Sequence, residues 1–378
     1  MIVEIIIPTI PGREKYLHWA LKSCMSDESN VTVLVSSNGG GSGIRDVVNS
    51  FRSNRIRLVE SETFLPMALH WEFACSHAIG DVVSIIGDDD AIVPGAIQKV
   101  IDLFDIYPLS ECITHSPAHY YWPDYPVKYC SNKFTNPKCT GGVEEVNPND
   151  VLKNVIEMKE WYGRLPYLYH GFVKRDVLER IRLSEGAIFK RIAPDIYSDF
   201  VLALHINSYL RTSYCLTVGG QGAKSTGANF ILNTKVGKEF LKNLPEELKP
   251  KLSGKSINLQ VFEYSRIFSE RIFGAEEINT RWIIFVLKTL IEAATKAENE
   301  EEIVSDLHKI LKSEMPPIKL FFYRLLIKSI RNVKVTKIIT KLYYVRHVRL
   351  IKNWHDGSDI HANNVFDVAK KMQQNNEA

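Results

Sequence analysis

No apolar run in this 378-residue chain reaches the roughly 18 residues needed to cross a bilayer, so no membrane-spanning helix is expected. Paired cysteines are missing as well. Cys24, Cys75, Cys112, Cys130, Cys139 and Cys215 form no CxxC pair, which removes zinc-site spacing, and a disulfide framework is not expected in a chain this long. Free thiols in a reducing cytoplasm follow. The opening MIVEIIIPTI holds Glu4 inside its apolar run and has no basic stretch before it, so it reads as a strand and not a signal peptide. The glycine signatures of nucleotide folds are absent too. In NGGGSG (Asn38–Gly43), the third glycine of a GxGxxG would fall at Ile44, and GxxxxGK[ST] occurs nowhere. NGGGSG remains either a tight turn with a close backbone approach to a ligand or a plain loop. Nucleotide-sugar pyrophosphorylases need a glycine-rich basic loop after the first strand; IPTIPGRE stands there instead.

What is present is a globular composition, 45% hydrophobic and 24% charged, in a chain long enough for two domains. The net charge of +3 is unevenly spread. Between Met315 and His355 lie ten of the 47 Lys and Arg and none of the 44 Asp and Glu, which leaves the remainder net acidic. An acidic body with a basic tail segment calls for a partner.

The first hundred residues alternate strand and helix. Apolar runs at Val3–Ile7, Val31–Ser36, Ile56–Val59 and Asp81–Ile86 predict strands. Helical patterns at Arg13–Met25, Ile44–Phe51 and Met67–Ala78 separate them, and Pro94–Tyr107 follows, a rhythm that predicts a parallel sheet covered on both faces. The aromatic and proline-rich Ser116–Cys130 predicts a loop or hairpin over a site. Helices are expected at Asn149–Trp161, on entry from His170–Ile181, and at Ile196–Leu210. A closing strand is expected at Tyr214–Val218, then a flexible loop at Gly219–Gly227. From Phe230 helical patterns dominate, which puts a domain boundary between residues 229 and 230.

The most informative feature is GDDD, Gly87–Asp90, at the carboxyl end of a buried-looking strand. Neighbouring carboxylates repel, and something cationic must offset that. Ligands bind at the carboxyl ends of strands in open α/β sheets, and a divalent metal holding a diphosphate is the obvious counterion. An isolated DDD is more often a plain acidic turn; the apolar strand before it and Pro94 after it favour the metal reading.

IIIPTIPGREKYLHWAL, VTVLVSSNGGGSG, LPMALHWEFACSHAIGD and IIGDDDAIVPGAI occur in the order and spacing of family 2 glycosyltransferases. The chain resembles that family over Met1 to Asn229. The resemblance implies a GT-A fold followed by a mostly helical region over 230–378. It implies inverting sugar transfer from a nucleotide-diphosphate sugar, with Mn²⁺ or Mg²⁺ on the diphosphate. By position, Pro8, Thr9, Pro11 and Arg13 would line the nucleotide pocket. Ser37 and Asn38 stand where the family has an aspartate near the base, so the base is left open. Met67, His70 and Trp71 lie on the helix leading to the metal strand, with Trp71 expected to pack. The family's D-x-D falls on Asp88 and Asp90. Asp88 would contact ribose or metal and Asp90 would ligate metal, with Asp89 the alternative ligand.

Inverting displacement needs a general base on the acceptor side. The family places an acid at a helix start about one hundred residues after the metal motif, and APDIYSDF offers Asp195 there, with a helix N-cap as its alternative role. Asp199, four residues on, shares its helical face and is the second choice. His170, Lys174 and Arg175 enter from the segment that frames the acceptor in the family. Gln221, Lys224 and Ser225 would close over the diphosphate, with Lys224 balancing its charge; an ordinary mobile connector is the alternative.

In the tail, Arg324, Lys328, Arg331, Lys334, Lys337 and Lys341 recur at intervals of three or four. Leu325, Leu326, Ile330, Ile338, Ile339 and Leu342 lie between them. An amphipathic basic helix suits an anionic membrane surface; a solvated face of a bundle is the alternative. Nucleic acid is not expected, since no reading module accompanies the charge. The expected protein is a cytoplasmic transferase, peripheral on the inner face of the cell membrane. It would extend a glycan or lipid-linked glycan of a bacterial surface polysaccharide such as O-antigen or capsule. A non-catalytic nucleotide- or glycan-binding module on the same scaffold is the alternative function.

Overall fold

Val3–Thr9 (β1) has only one half-exposed residue in seven, because helices cover both faces of the sheet around it. Its one acid is compensated locally. Glu4 is fully buried and accepts the amides of Ile79 (2.6 Å) and Gly80 (3.0 Å) while pairing with Arg57 at 2.7 Å. The protein is described here from a computed structural model covering residues 1–26, 30–225, 245, 248, 252, 256–274, 280–295, 299–331 and 354–377.

β1 pairs in parallel with β2 (Val31–Ser37) and β4 (Val82–Ile85), and β2 pairs in parallel with β3 (Ile56–Glu60). Helices α1 (Glu14–Met25), α2 (Ser42–Ser50) and α3 (Met67–Ser76) connect them. These elements follow the sequence expectation with ends shifted by a few residues. Beyond Gly87–Asp90 come β5 (Ala91–Ile92), α4 (Ala96–Ile106), β6 (Cys112–Thr114), β7 (Ala118–Tyr121), β8 (Lys133–Phe134), β9 (Val143–Val146) and α5 (Pro148–Ile156). β10 (Phe172–Lys174), α6 (Arg175–Glu185), α7 (Pro194–His205), β11 (Tyr209–Thr212) and β12 (Thr217–Gln221) follow. The main sheet runs β3-β2-β1-β4-β10-β6-β11-β9, with β10 antiparallel to both of its neighbours.

The sequence pattern fails at three places. Phe172–Lys174 is a strand and not the start of a helix, because it fills the slot between β4 and β6. α7 stops at His205, and Tyr209 already belongs to β11, so the helix expected as far as Leu210 is shorter. The closing strand lies at Thr217–Gln221, three residues later than expected, and so includes Gly219–Gln221 of the supposed loop.

A second, smaller sheet runs β13-β8-β7-β12-β5, where β13 is His355–Asp356 from near the C-terminus. The C-terminal helix α12 (Val365–Glu377) packs on α1, β5 and β12. It buries Val365, Val368, Ala369 and Met372, and Asn376 clasps Cys215 through both amide atoms, at 2.8 and 3.0 Å.

Two compact units result: residues 1–148, 165–246 and 354–378, and residues 149–164 and 247–353. These units divide the chain differently from a single boundary at 229/230. Residues from the C-terminus complete the core of the first, and most of α5 joins the second. The second unit is built on α8 (Ile257–Phe273), α9 (Trp282–Thr295), α10 (Glu300–Glu314) and α11 (Pro317–Ile330). Phe262 stacks on Phe285 at 4.8 Å, and Ser256, capping α8, donates to Glu292 at 2.6 Å. No helix among the described residues is long and apolar enough to cross a membrane.

Candidate functional site

The acidic triplet lies at the carboxyl end of β4, in a tight turn closed by the Asp90 amide donating to the Gly87 carbonyl at 3.1 Å. All three carboxylates are buried, and each has its own partners. Asp88 accepts from Arg13 Nε (2.7 Å to Oδ2, 2.8 Å to Oδ1) and from Thr9 Oγ1 (2.6 Å). Arg13 Nη2 also reaches Asp89 Oδ1 at 3.2 Å. Burial opposes the charge on Arg13, but Asp88 and then Asp89 more than restore it, so its pKa lies above that of an ordinary guanidinium. An arginine 75 residues upstream thus offsets the charge of Asp88 and Asp89.

Asp90 turns the other way. Its oxygens accept from the Gly87 amide (2.5 Å), the Gly220 amide (2.7 Å) and the Tyr169 hydroxyl (2.7 Å). His170 Nε2 lies 3.3 Å from Asp90 Oδ2. Burial pushes the carboxyls of Asp89 and Asp90 above the usual range. Burial, and then His119, hold His170 at about 3, so its imidazole is neutral. Its Nδ1 is 2.8 Å from Thr217 Oγ1, which in turn is 3.2 Å from His115 Nε2. β12 passes close against the triplet, where a Cβ at Gly220 would collide with the Asp89 carbonyl oxygen. The same carbonyl accepts from Trp122 Nε1 at 3.0 Å.

The Gly222–Ser225 segment lies over this end of the sheet. Ser225 Oγ donates to Asp89, Lys224 Nζ donates to the Gly12 carbonyl at 2.6 Å, and Arg13 Nη1 donates to the Lys224 carbonyl. Thr9, Arg13, Asp88, Asp89, Lys224 and Ser225 therefore form one hydrogen-bonded group. Pro8 lies near the end of β1, paired with Ser36, and Pro11 in the loop that follows packs where a Cβ of Gly41 would stand. Ser37 and Asn38 are engaged differently. Ser37 is fully buried, and its hydroxyl has no hydrogen-bond partner among the described residues. Asn38 clamps the backbone of Leu65, donating to its carbonyl (2.8 Å) and accepting from its amide (2.7 Å). His70 is buried against Ser36 Oγ at 3.0 Å, and burial lowers it to about 4.

Asp195 is half-buried in the first turn of α7. The N-cap is Ala193, so Asp195 is not the capping residue. Burial raises its pKa, and the amides at the helix start pull it partly back. Tyr169 connects it to the triplet: burial, then Asp90, Asp89 and more weakly Asp195 all raise the pKa of its phenol. Trp71 stacks on Tyr169 at 5.3 Å and meets Phe189 edge-on at 5.5 Å, so the packing role expected for it includes the ring beside Asp90. Glu72 accepts from the amides of Ile188 (2.8 Å) and Phe189 (3.1 Å), which anchors the approach to α7 on α3.

Residues 4–142 match the model of Glycosyl transferase family 2. The protein is a glycosyltransferase with a GT-A domain and a helical region. Its fold is similar to that of S. aureus TarS 1–349, solved in complex with UDP-GlcNAc, at 13% identity and a TM-score of 0.50, covering 99% of this chain and 92% of that one. A mannosyltransferase from Pyrobaculum calidifontis, solved with GDP-Man and Mn²⁺, is similar at 14% identity and a TM-score of 0.42, over 83% and 88% of the two chains. Among curated proteins none matches this sequence.

In this glycosyltransferase β10 runs antiparallel to β4, so its two ends meet opposite ends of that strand. His170 therefore reaches the triplet, its amide donating to the Ile85 carbonyl at 2.8 Å. Lys174, paired with Val82, falls at the far end and donates to the Pro108 carbonyl at 2.6 Å. Arg175 goes with it, donating to the Gly80 carbonyl at 2.9 Å. The expected framing of the acceptor by Lys174 and Arg175 is corrected by that topology. Tyr169, His115 and Thr217 are site neighbours that no motif marks; aromatic and histidine density in YLYHG is a signal for Tyr169 alone.

Asp199 is buried, and its Oδ1 lacks a hydrogen-bond partner among the described residues. Burial, and then the charge of Asp195, raise its pKa well above the carboxylate range. A raised folded-state pKa contributes stability below the unfolded value, near 4, and that contribution is lost as pH rises toward the folded value. Asp199→Asn is therefore expected to stabilise the fold by about 1–3 kcal/mol near pH 7 and by much less near pH 4. Thermal melts at the two pH values check this; equal shifts at both would remove the buried-carboxyl account.

Proposed function

We propose that this glycosyltransferase moves a sugar from a nucleotide-diphosphate donor to a hydroxyl of a glycan or lipid-linked glycan acceptor, with inversion at the anomeric carbon. The observation that carries the reading is Tyr169, bonded to Asp90 on the donor side and within the field of Asp195 on the other. Asp195 takes the proton of the acceptor hydroxyl, the hydroxyl oxygen bonds to the anomeric carbon, and the nucleoside diphosphate leaves with the electron pair of the broken bond. Pro8 and Thr9 at the end of β1, with Pro11 and Arg13 after it, form the nucleotide side of the pocket. Lys224 and Ser225 cover the diphosphate, and ordering of that segment limits hydrolysis by water. Asn38 is committed to the Leu65 backbone, whereas the buried Ser37 hydroxyl has no hydrogen-bond partner among the described residues, so the base contact at this position differs from an aspartate's. UDP-GlcNAc in the TarS neighbour is a donor of the proposed class. Addition of one sugar to a bacterial surface polysaccharide intermediate, at the cytoplasmic face of the membrane, is the setting we assign.

A divalent cation, Mn²⁺ or Mg²⁺, belongs to this reading. Among the described residues no group of three or more His, Cys, Asp and Glu side chains could hold a metal ion, so substrate phosphates would supply most of the ligands. Asp90 beside the neutral imidazole of His170 is a donor pair of suitable chemistry; Asp88 is held on both oxygens by Arg13. When bound, the cation would neutralise the diphosphate as a Lewis acid. A nucleoside diphosphate with Mn²⁺ should raise the melting temperature by roughly 3 °C at a hundredfold excess over its dissociation constant. Asp90→Asn should lose the Mn²⁺-dependent part alone. An equal shift in wild type and variant would remove the cation from this site, and no shift across a nucleoside diphosphate panel would remove the donor reading.

A further inference from the structure

α11 presents four large apolar side chains to solvent: Ile318 is 75% exposed, Phe321 60%, Phe322 64% and Leu325 47%. Their spacing of i, i+3, i+4 and i+7 puts them on one helical face. The opposite face is already used, with Ile327 buried and Leu320, Tyr323, Leu326 and Ile330 partly covered as α11 packs on α10. Structure therefore reassigns the amphipathic surface that the sequence suggested, since Leu326 and Ile330 turn inward and the Phe pair turns out. Adjacent large apolar residues on one exposed ridge are unusual and mark a surface that meets something.

The charge around the ridge selects its partner. Lys319 flanks it on one side and Arg324 and Lys328 on the other, all three exposed. No Asp or Glu lies between Met315 and His355. A ridge of phenylalanines between rows of long cationic side chains fits a lipid surface: the rings enter the acyl boundary while the Lys and Arg stems keep their charges at the headgroups. The acid-free sequence from Met315 to His355 also matches anionic lipid, toward which each basic residue adds attraction.

We propose that α11 docks on an anionic membrane surface by inserting the Ile318, Phe321, Phe322 and Leu325 ridge, with Lys319, Arg324 and Lys328 at the headgroup level. Lys334, Lys337 and Lys341, with Ile338, Ile339 and Leu342, lie outside the described residues, and the ridge does not need them. The surface is independent of the donor-site reading, and its test measures no transfer.

The full chain is sedimented with vesicles of phosphatidylcholine alone and of phosphatidylcholine mixed with phosphatidylglycerol, at low and raised salt. Binding to the mixed vesicles is expected, with much weaker binding to phosphatidylcholine alone. Phe321→Ser with Phe322→Ser should weaken partitioning at least about tenfold, while the melting temperature stays unchanged because both rings are exposed. Lys319→Gln, Arg324→Gln and Lys328→Gln together should weaken binding and flatten its salt dependence. Absence of binding to mixed vesicles, or undiminished binding by the serine variant, overturns the proposal. A wild-type dimer in sedimentation velocity that the serine variant dissociates, with no vesicle binding, assigns the ridge to self-association instead.

Discussion

Asp195→Asn should lower kcat about 10²–10⁴-fold while leaving the donor-induced thermal shift intact. The amide keeps the shape of the carboxylate and removes its ability to take a proton, so chemistry is lost and donor binding is not. The pH profile supplies a second reading. A base works deprotonated, so the rate falls as pH drops through its pKa, and burial raises that value for Asp195. The acid limb of kcat/KM should therefore lie above the ordinary carboxylate value, near 4. Asp199→Asn should keep the bulk of the turnover. If it were instead the variant that lost turnover, with Asp195→Asn active, the base would be the deeper carboxyl.

Arg13→Ala should destabilise the fold by about 3–5 kcal/mol, the usual cost of removing one partner from a buried ion pair. Two carboxylates are stranded at once, because Arg13 reaches both Asp88 and Asp89 and is itself only 6% exposed. Lysine should recover only part of the loss, since a point charge cannot meet both oxygens of Asp88 along a planar fork. Denaturant unfolding measures the effect, and a double variant with Asp88→Asn should lose less than the sum of the single changes. A loss below about 1 kcal/mol would place the ion pair in the class of weak surface bridges and remove it as the triplet's counterion.

These two residues show how unevenly the sequence discloses the site. Asp195 stands out as a candidate because a proline and an acid at a helix start form a local pattern, spaced from the triplet as in the family, and the structure does place it in the first turn of α7. Arg13 was legible as a nucleotide-loop residue, but its bond to Asp88 was not, since nothing in IPTIPGRE or GDDD specifies the other. His170 was marked only by its place in the family's acceptor segment, and nothing local ties it to Asp90. Its position follows from β10 running antiparallel to β4, which also carries Lys174 and Arg175 away. The three-residue error in β12 has a related cause. Gly219 and Gly220 look like loop, yet strand pairing with β7 and the close pass by Asp89 admit only residues without a Cβ at Gly220.

Local pattern is enough to give the alternation of strand and helix through Ile106, the parallel character of β1 to β4, and an acidic turn at a strand's carboxyl end. The alternation and the turn depend on residues close in the chain, so hydrophobic periodicity and turn chemistry encode them directly, and a helix between successive strands then favours parallel pairing. Only the tertiary structure decided which cation meets the triplet and which face of α11 is left to solvent. It also decided that α12 returns to close the first unit and that residues 149–164 pack with the second. Those outcomes rest on contacts between segments tens to hundreds of residues apart, where burial and charge pairing select partners that local pattern leaves unspecified.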